Sequence, residues 1–250
     1  MIGIIGFGRF GKLASRYLSK DFDVLVHTRA DKTAEISRVG ARAVSLEEVC
    51  RQEIVIPCVP ISVFKDFLKG IAPLIRPSTL IIDVCSVKEY PVRWMQEILP
   101  DSVSILATHP MFGPDSASDS LEGRKICLCK VNIAENQYRK IRKYLSSKGL
   151  VVIEATAAEH DEQIASSLAL THLIGRTLSE SGATQLDIDT EGYKRLLHIL
   201  EVVERDTWQL FEDMHHYNAY AGKKRIEFMK VMQSIISRLE QGDLVVQMKG

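Results

Sequence analysis

The stretch Met1–Arg29, MIGIIGFGRFGKLASRYLSKDFDVLVHTR, constrains the fold more than any other part of the chain. An apolar run, Ile2–Ile5, leads into Gly6-Phe7-Gly8-Arg9-Phe10-Gly11. A helical pattern with Leu13, Ala14, Tyr17 and Leu18 follows, and Val24–Val26 is apolar again. Strand, glycine turn, helix and strand in this order make a dinucleotide-binding βαβ unit. Gly6 suits the tight turn, Gly8 lets the backbone approach a pyrophosphate, and Gly11 lets the helix pack close to the strand. The helix N-terminus then offers unpaired N–H groups to the phosphates. Residues Gly6, Phe7, Gly8, Arg9, Phe10 and Gly11 are therefore the candidate cofactor cradle.

The end of the second strand selects the cofactor. NAD-binding units place an acidic residue there for the ribose hydroxyls, about 20 residues beyond the glycines. This chain has His27-Thr28-Arg29 instead. A hydroxyl and a guanidinium suit the additional 2′-phosphate of NADP, with bidentate geometry available from Arg29. Asp31 is placed to serve a ribose only if the strand ends late. The expected cofactor is NADP.

The α/β rhythm continues to about residue 155. Short helices are expected over 34–39 and 46–50, the second capped by Ser45, and buried strands over 54–59, 80–84, 103–107, 125–131 and 150–153. Segment 111–123 has no periodicity, holds Gly113-Pro114 and repeated Ser and Asp, and reads as a long loop of the kind that carries function. Beyond Ala155 only helical spacing persists, in three long helices. These start with Ile164 and Leu168, with Leu196 and Leu200, and with Ile226 and Met229. The methionine stripe Met229/Met232 is expected in the core. The tail 243–250, with a possible strand, stays unassigned. The expected architecture is an N-terminal doubly wound, Rossmann-like α/β sheet over 1–155 with an all-helical C-terminal domain over 156–250. Helix faces that are apolar on more than one side, such as Leu196-Leu197 with Ile199-Leu200 and Val202-Val203, point to a homodimer formed through that domain.

Charge excludes several partners. The chain has 32 Lys and Arg against 32 Asp and Glu, so no field favours nucleic acid or an acidic membrane. The first strand at Ile2 leaves no room for a signal peptide and no run of 18 apolar residues occurs, so a cytoplasmic protein is expected. The five cysteines (Cys50, Cys58, Cys85, Cys127 and Cys129) form no CxxC, and no metal site is expected.

In open α/β sheets ligands collect at the C-terminal ends of the strands. Those ends carry Gly6–Gly11, His27–Arg29, Val59-Pro60, Ser86 and His109. Ser86 and His109 come from successive strands, so their side chains can converge beside a nicotinamide. His109, held extended by Pro110, opens into the long loop, and an imidazole with an ordinary pKa near 6.5 is a suitable general base. Ser86-Val87-Lys88-Glu89 also fits a capping box, so Ser86 has a capping role available too.

Three motifs then carry a resemblance: Asp83-Val84-Cys85-Ser86-Val87-Lys88-Glu89, Thr108-His109-Pro110-Met111-Phe112-Gly113-Pro114 and Ala158-Glu159-His160-Asp161. Together with Thr171-His172, Gly175-Arg176 and Gly192-Tyr193, they are similar to the prephenate/arogenate dehydrogenases of tyrosine biosynthesis, most of all to the plant-type arogenate branch. The resemblance implies oxidative decarboxylation of a cyclohexadienol with hydride transfer to NADP. His109 would take the proton of the 4-hydroxyl, Ser86 would orient that hydroxyl, and His172 would help hold the substrate. His160 lies twelve residues before His172, about 120° around one uniform helix, and reads equally well as structural. An arginine in a Thr-Arg-Ile-Ala-like context, common in prephenate-type members, is absent. In its region Asp206 would, if buried, attract the ammonium of arogenate and repel prephenate, or would simply pair with a neighbouring arginine. Arg176 is a further candidate for a substrate carboxylate. Two other readings stand beside this one: prephenate as the substrate, and a non-catalytic NADP-binding sensor on the same scaffold.

Overall fold

The computed structural model describes the backbone of residues 1–247 and the side chains of residues 1–241. The chain divides into two compact units, Met1–His160 and Asp161–Gly250.

The first unit is an eight-stranded sheet in the order β3-β2-β1-β4-β5-β6-β7-β8. Its strands are β1 (Ile2–Ile5), β2 (Val24–His27), β3 (Arg42–Ala43), β4 (Ile54–Pro57), β5 (Leu80–Asp83), β6 (Ser104–Pro110), β7 (Lys125–Asn132) and β8 (Val151–Glu154). Every neighbouring pair is parallel except β6 with β7. The strand order reverses between β1 and β4, the switch point at which doubly wound sheets hold their ligands. Helices α1 (Arg9–Leu18), α2 (Thr33–Arg38), α3 (Leu46–Cys50), α4 (Ile61–Ile71), α5 (Glu89–Ile98) and α6 (Glu135–Ser147) make the connections, with a short 3-10 turn at Ala72–Leu74. Ser45 caps α3 as expected, its hydroxyl accepting from the Glu48 N–H at 3.1 Å. The parallel strands are continuous apolar runs because both faces are covered; all four residues of β1 are buried.

Two details differ from the sequence reading. β6 does not stop at Ala107. Antiparallel pairing with β7 carries it through His109 and Pro110, opposite Cys127 and Ile126. Ser86 does not cap the helix that follows β5, because α5 begins later and its N-cap position is Lys88, with no side-chain cap.

The helical unit continues α7 (Ala157–Ile164) through a π-helical turn, Ala165–Ala169, into α8 (Leu170–Glu180). Then come α9 (Glu191–Glu204), α10 (Trp208–His216) and α11 (Ala221–Gln247). The expected second long helix is thus two, broken at 205–207, where the Thr207 hydroxyl accepts from the Leu210 N–H at 3.1 Å and starts a new helix. The tail belongs to α11 as far as Gln247, not to a strand, and residues 248–250 lie outside the described residues. Met229 is half exposed rather than core. Several other apolar side chains of α9 and α11 are also open to solvent, among them Leu196, Val202, Ile235 and Leu239.

Candidate active site

The glycine turn has the shape of a cradle. Gly6 takes φ +102°, and a Cβ there would lie 2.4 Å from the Cys58 carbonyl oxygen. A Cβ on Gly11 would lie 2.1 Å from the Gly6 carbonyl oxygen, so α1 can pack this close only as glycine. Above Gly8 a Cβ would meet nothing within 4 Å. The turn is therefore open where a pyrophosphate would rest and closed elsewhere. Phe7 contributes backbone only, since its side chain is buried in the core with Ile4 and Val26. Arg9 pairs with Asp115 of the 111–123 loop. The same loop accepts hydrogen bonds on α1, from Tyr17 Oη to the Ala117 oxygen (3.0 Å) and from Arg16 to the Ser118 oxygen. Val59 and Pro60 follow β4, with Pro60 in the N-cap position of α4.

Beside the cradle, His27, Thr28, Arg29, Lys32 and Ser45 line a recess of about 390 Å³ at the end of β2. His27 Nδ1 lies 3.2 Å from the Val44 oxygen, which fixes the ring. Asp31 also lines this recess, and its Oδ1 accepts from the Thr33 N–H (3.1 Å) at the start of α2. Lys32, which the sequence reading passed over, adds a second cation to the recess beside Arg29. Its Nζ donates to the Phe7 oxygen at 3.3 Å.

The ends of β5 and β6 are joined by a buried ion pair. Asp83 and Lys88 are both fully buried and paired, and Lys88 Nζ also donates to the Thr108 carbonyl oxygen. The rest of the Asp83 carboxylate accepts from the Cys85 N–H (2.9 Å) and the Thr108 N–H (3.3 Å). Thr108 Oγ1 in turn donates to the Asp83 carbonyl oxygen at 2.7 Å. Every polar atom of this knot has a partner, as burial requires. Its effect is to lock β6 to β5, in which Asp83 faces Ala107 across the ladder. Ser86 and His109 lie just beyond that paired position on adjacent segments, three residues after Asp83 and two after Ala107. Cys85 is no nucleophile: burial, and then the charge of Asp83, hold its thiol well above its ordinary range.

His109 is buried, with its Nδ1 2.8 Å from Nε2 of His160 and the two rings edge to face at 5.0 Å. Burial, the His160 ring and the Lys88 charge hold its pKa well below 6.5. The ordinary pKa expected for a strand-end imidazole is corrected accordingly: His109 is neutral throughout the physiological range. His160, for which a structural role was an equal expectation, is its partner. Helical spacing carries no signal for this contact with a strand 51 residues away, and the uniform-helix count from His160 to His172 itself fails at the π turn Ala165–Ala169, where each residue winds through a smaller angle.

In the helical unit His172 is buried, with Nε2 3.8 Å from the Asp206 carboxylate and Nδ1 without a hydrogen-bond partner. Burial, Arg176 and His215 lower its pKa to about 4, so at neutral pH this pair is a neutral ring beside a carboxylate. The Asp206 carboxylate is 31% exposed and sits between α9 and α10, a correction to the expected buried position on a helix. Arg176 is buried. It donates to the main-chain oxygen of Asp206 and lies 4.7 Å from the Trp208 ring centre, with its Nε left without a partner. His215, which sequence reasoning did not select, is buried nearby on α10. Its Nδ1 is 3.3 Å from Arg225, and burial followed by the Arg225 charge lowers its pKa. No group of three or more metal-binding side chains occurs among the described residues, and no helix among them is long and apolar enough to cross a membrane.

A doubly wound sheet with a glycine cradle after β1 and a buried histidine on β6, the third strand along the sheet from it, has the arrangement of a nicotinamide-dinucleotide dehydrogenase. Residues 25–154 match the prephenate dehydrogenase nucleotide-binding domain, and residues 177–249 a TYRAAT1-like C-terminal domain. Arogenate dehydrogenase 2, chloroplastic, of Arabidopsis thaliana is 33% identical over 96% of this chain and 71% of its own length. Arogenate dehydrogenase 1, chloroplastic, of the same plant is 32% identical over 95% of this chain, which spans only 39% of that protein. Among solved structures, Synechocystis arogenate dehydrogenase superposes with a TM-score of 0.72 at 19% identity, covering 97% of this chain and 92% of that one. Prephenate dehydrogenase from A. aeolicus, in complex with hydroxyphenyl propionate and NAD+, gives 0.75 at 18% identity, covering 99% and 94%. The chain belongs to the prephenate/arogenate dehydrogenase family.

Proposed function

We propose that the protein is an NADP-dependent arogenate dehydrogenase that converts arogenate to tyrosine by oxidative decarboxylation. The observation that carries the reading is His109. It is a buried, neutral imidazole whose Nδ1 is engaged by His160, on a strand end knotted to the one that carries Ser86. NADP fits the open space above Gly8 and the Arg29/Lys32 recess, and when bound it supplies the acceptor for the hydride given up by the ring carbon that bears the 4-hydroxyl.

The residues do the remaining work. For His109 to accept the hydroxyl proton at Nε2, its Nδ1 must carry the other proton and donate it to His160 Nε2. His160 thus selects the reactive tautomer and shares the charge that builds on His109. When the ring carboxylate leaves as CO₂, its electron pair passes through the ring to the oxygen. His109 then returns the proton, and a phenol forms with no net proton change. Ser86 orients the hydroxyl. His172 and Arg176 recognise the substrate's carboxylates, and Asp206, its carboxylate partly open, recognises the ammonium that distinguishes arogenate from prephenate. The exposed apolar residues of α9 and α11 support assembly as a homodimer.

The test is steady-state turnover with arogenate and with prephenate, each with NADP and with NAD, repeated for Asp206→Asn and His109→Asn. Arogenate preference that Asp206→Asn erodes, NADP preference, and loss of turnover in a His109→Asn protein that still binds NADP are expected. Preference for prephenate in the parent would overturn the substrate assignment. Preference for NAD would overturn the reading of Arg29 and Lys32. Tight NADP binding with no turnover of either substrate would mark a sensor.

A further inference from the structure

We propose that the cavity between the centre of the sheet, α1 and α6 is a second ligand site, and that it takes a small amphipathic carboxylate with an apolar body and one terminal anion. The inference concerns the first unit alone and does not depend on the dehydrogenase assignment.

Central strands of a parallel sheet are normally covered on both faces. Here Ile54 of β4 and Ile82 of β5 are only partly buried, on the face turned toward α1 and α6. The space they border is a cavity of about 560 Å³, within the range of sites for drug-sized ligands. Along β6 the cavity is lined by Leu106, Thr108 and Pro110, whose side chains alternate with that of His109, so it lies across the sheet from the candidate base. The strand residues that line it offer a ligand no free side-chain polar group: the hydroxyl among them, Thr108 Oγ1, already donates to the Asp83 oxygen at 2.7 Å. A nucleotide or sugar would lose its hydrogen bonds in such a space, and an alkyl chain or aromatic ring would lose nothing.

The rim has the opposite character. Lys20, Asp21, Asp119, Lys140 and Lys148 border the cavity. Asp21 is satisfied by Lys148 Nζ (2.7 Å) and Tyr144 Oη (2.9 Å), and Lys20 lies 4.8 Å from the Tyr17 ring centre. Among the described residues Lys140 has no ion-pair partner. An anionic head at Lys140 with an apolar body beneath it matches both halves of the site.

The experiment is isothermal titration of dodecanoate into the full chain, with and without saturating NADP. One-to-one binding is expected, weakened roughly tenfold by Lys140→Glu and abolished by Ile141→Trp, which fills the cavity from α6. A retained thermal transition shows that Ile141→Trp is folded, and Leu121→Trp fills the same space from the loop should it not be. Absence of binding to the parent overturns the proposal. So does binding that survives both filling variants, because the probe then sits on the exposed helix faces. Binding unaffected by Lys140→Glu overturns the carboxylate assignment.

Discussion

Lys88→Met removes one charge from a fully buried ion pair and leaves the aliphatic stem nearly intact. Both members of the Asp83–Lys88 pair are fully buried, so the Asp83 carboxylate would be stranded in the core. Breaking such a pair costs about 3–5 kcal/mol. Asp83 keeps the Cys85 and Thr108 N–H groups, which pulls the figure toward the lower end. The Thr108 oxygen loses its lysine donor, which pulls it back up. A loss of about 3–4 kcal/mol is a large part of an ordinary domain's stability and lowers Tm by roughly 10 °C in a chain this long. Urea unfolding and a thermal scan read it directly, with Lys69→Met as the control: the Lys69–Asp66 pair is exposed, and no measurable change is expected there. A second readout follows from the electrostatics of His109. The Lys88 charge is one of the causes that depress its pKa, so the acid limb of the kcat/KM profile should move to higher pH in Lys88→Met. An unchanged Tm would refute the claim that this pair holds the strand ends, and an unmoved acid limb would refute its electrostatic reach to His109.

Stability should also fall on acidification through the buried histidines. His172 titrates at about 4 in the folded chain against 6.5 for the free side chain. The unfolded chain therefore binds more protons between those values, and stability is complete above pH 6.5 and lost as pH falls toward 4. The loss attributable to His172 is about 3 kcal/mol; His109 and His215 act in the same direction, and urea titrations from pH 7.5 to 4.5 would expose a flat profile if the rings were not buried. Gly175→Ala places a methyl 2.0 Å from Val203 Cγ2 and should cost about 1–3 kcal/mol, with partial recovery in Gly175→Ala/Val203→Ala. A full loss in the double variant would mean that α8 and α9 do not meet there. Ile235→Glu with Leu239→Glu, both on the exposed face of α11, should convert a dimer to a monomer in light scattering, and a parent that is already monomeric would rule out assembly through this face.

What the sequence made legible was local. The glycine turn, the apolar parallel strands and the Ser45 cap are each written within a few neighbouring residues, and each appears where those residues put it. The break between α9 and α10 was missed although its signal is local: Thr207 stands before a fresh helical start, an N-cap that the continuous apolar spacing on either side concealed. The misplaced end of β6 is of another kind. Whether His109 and Pro110 belong to a strand depends on β7, whose Cys127 and Ile126 supply the pairing, and no periodicity within 103–110 encodes that partner. The same holds for the site. A histidine before a proline can be picked out as a candidate base, but its pKa is lowered first by its burial, then by His160, 51 residues away, and by a lysine on a different segment. Asp83 and Lys88 read locally as a charged strand end and a helix start. Only the closing of β5 onto β6 turns them into a buried pair, whose Lys88 charge then helps lower the pKa of His109. The lowered pKa of His109 is therefore a property of the assembled strand ends: with His109 as the proposed base, changing Lys88 or His160 should alter the pH dependence of the reaction while the motif around His109 stays untouched.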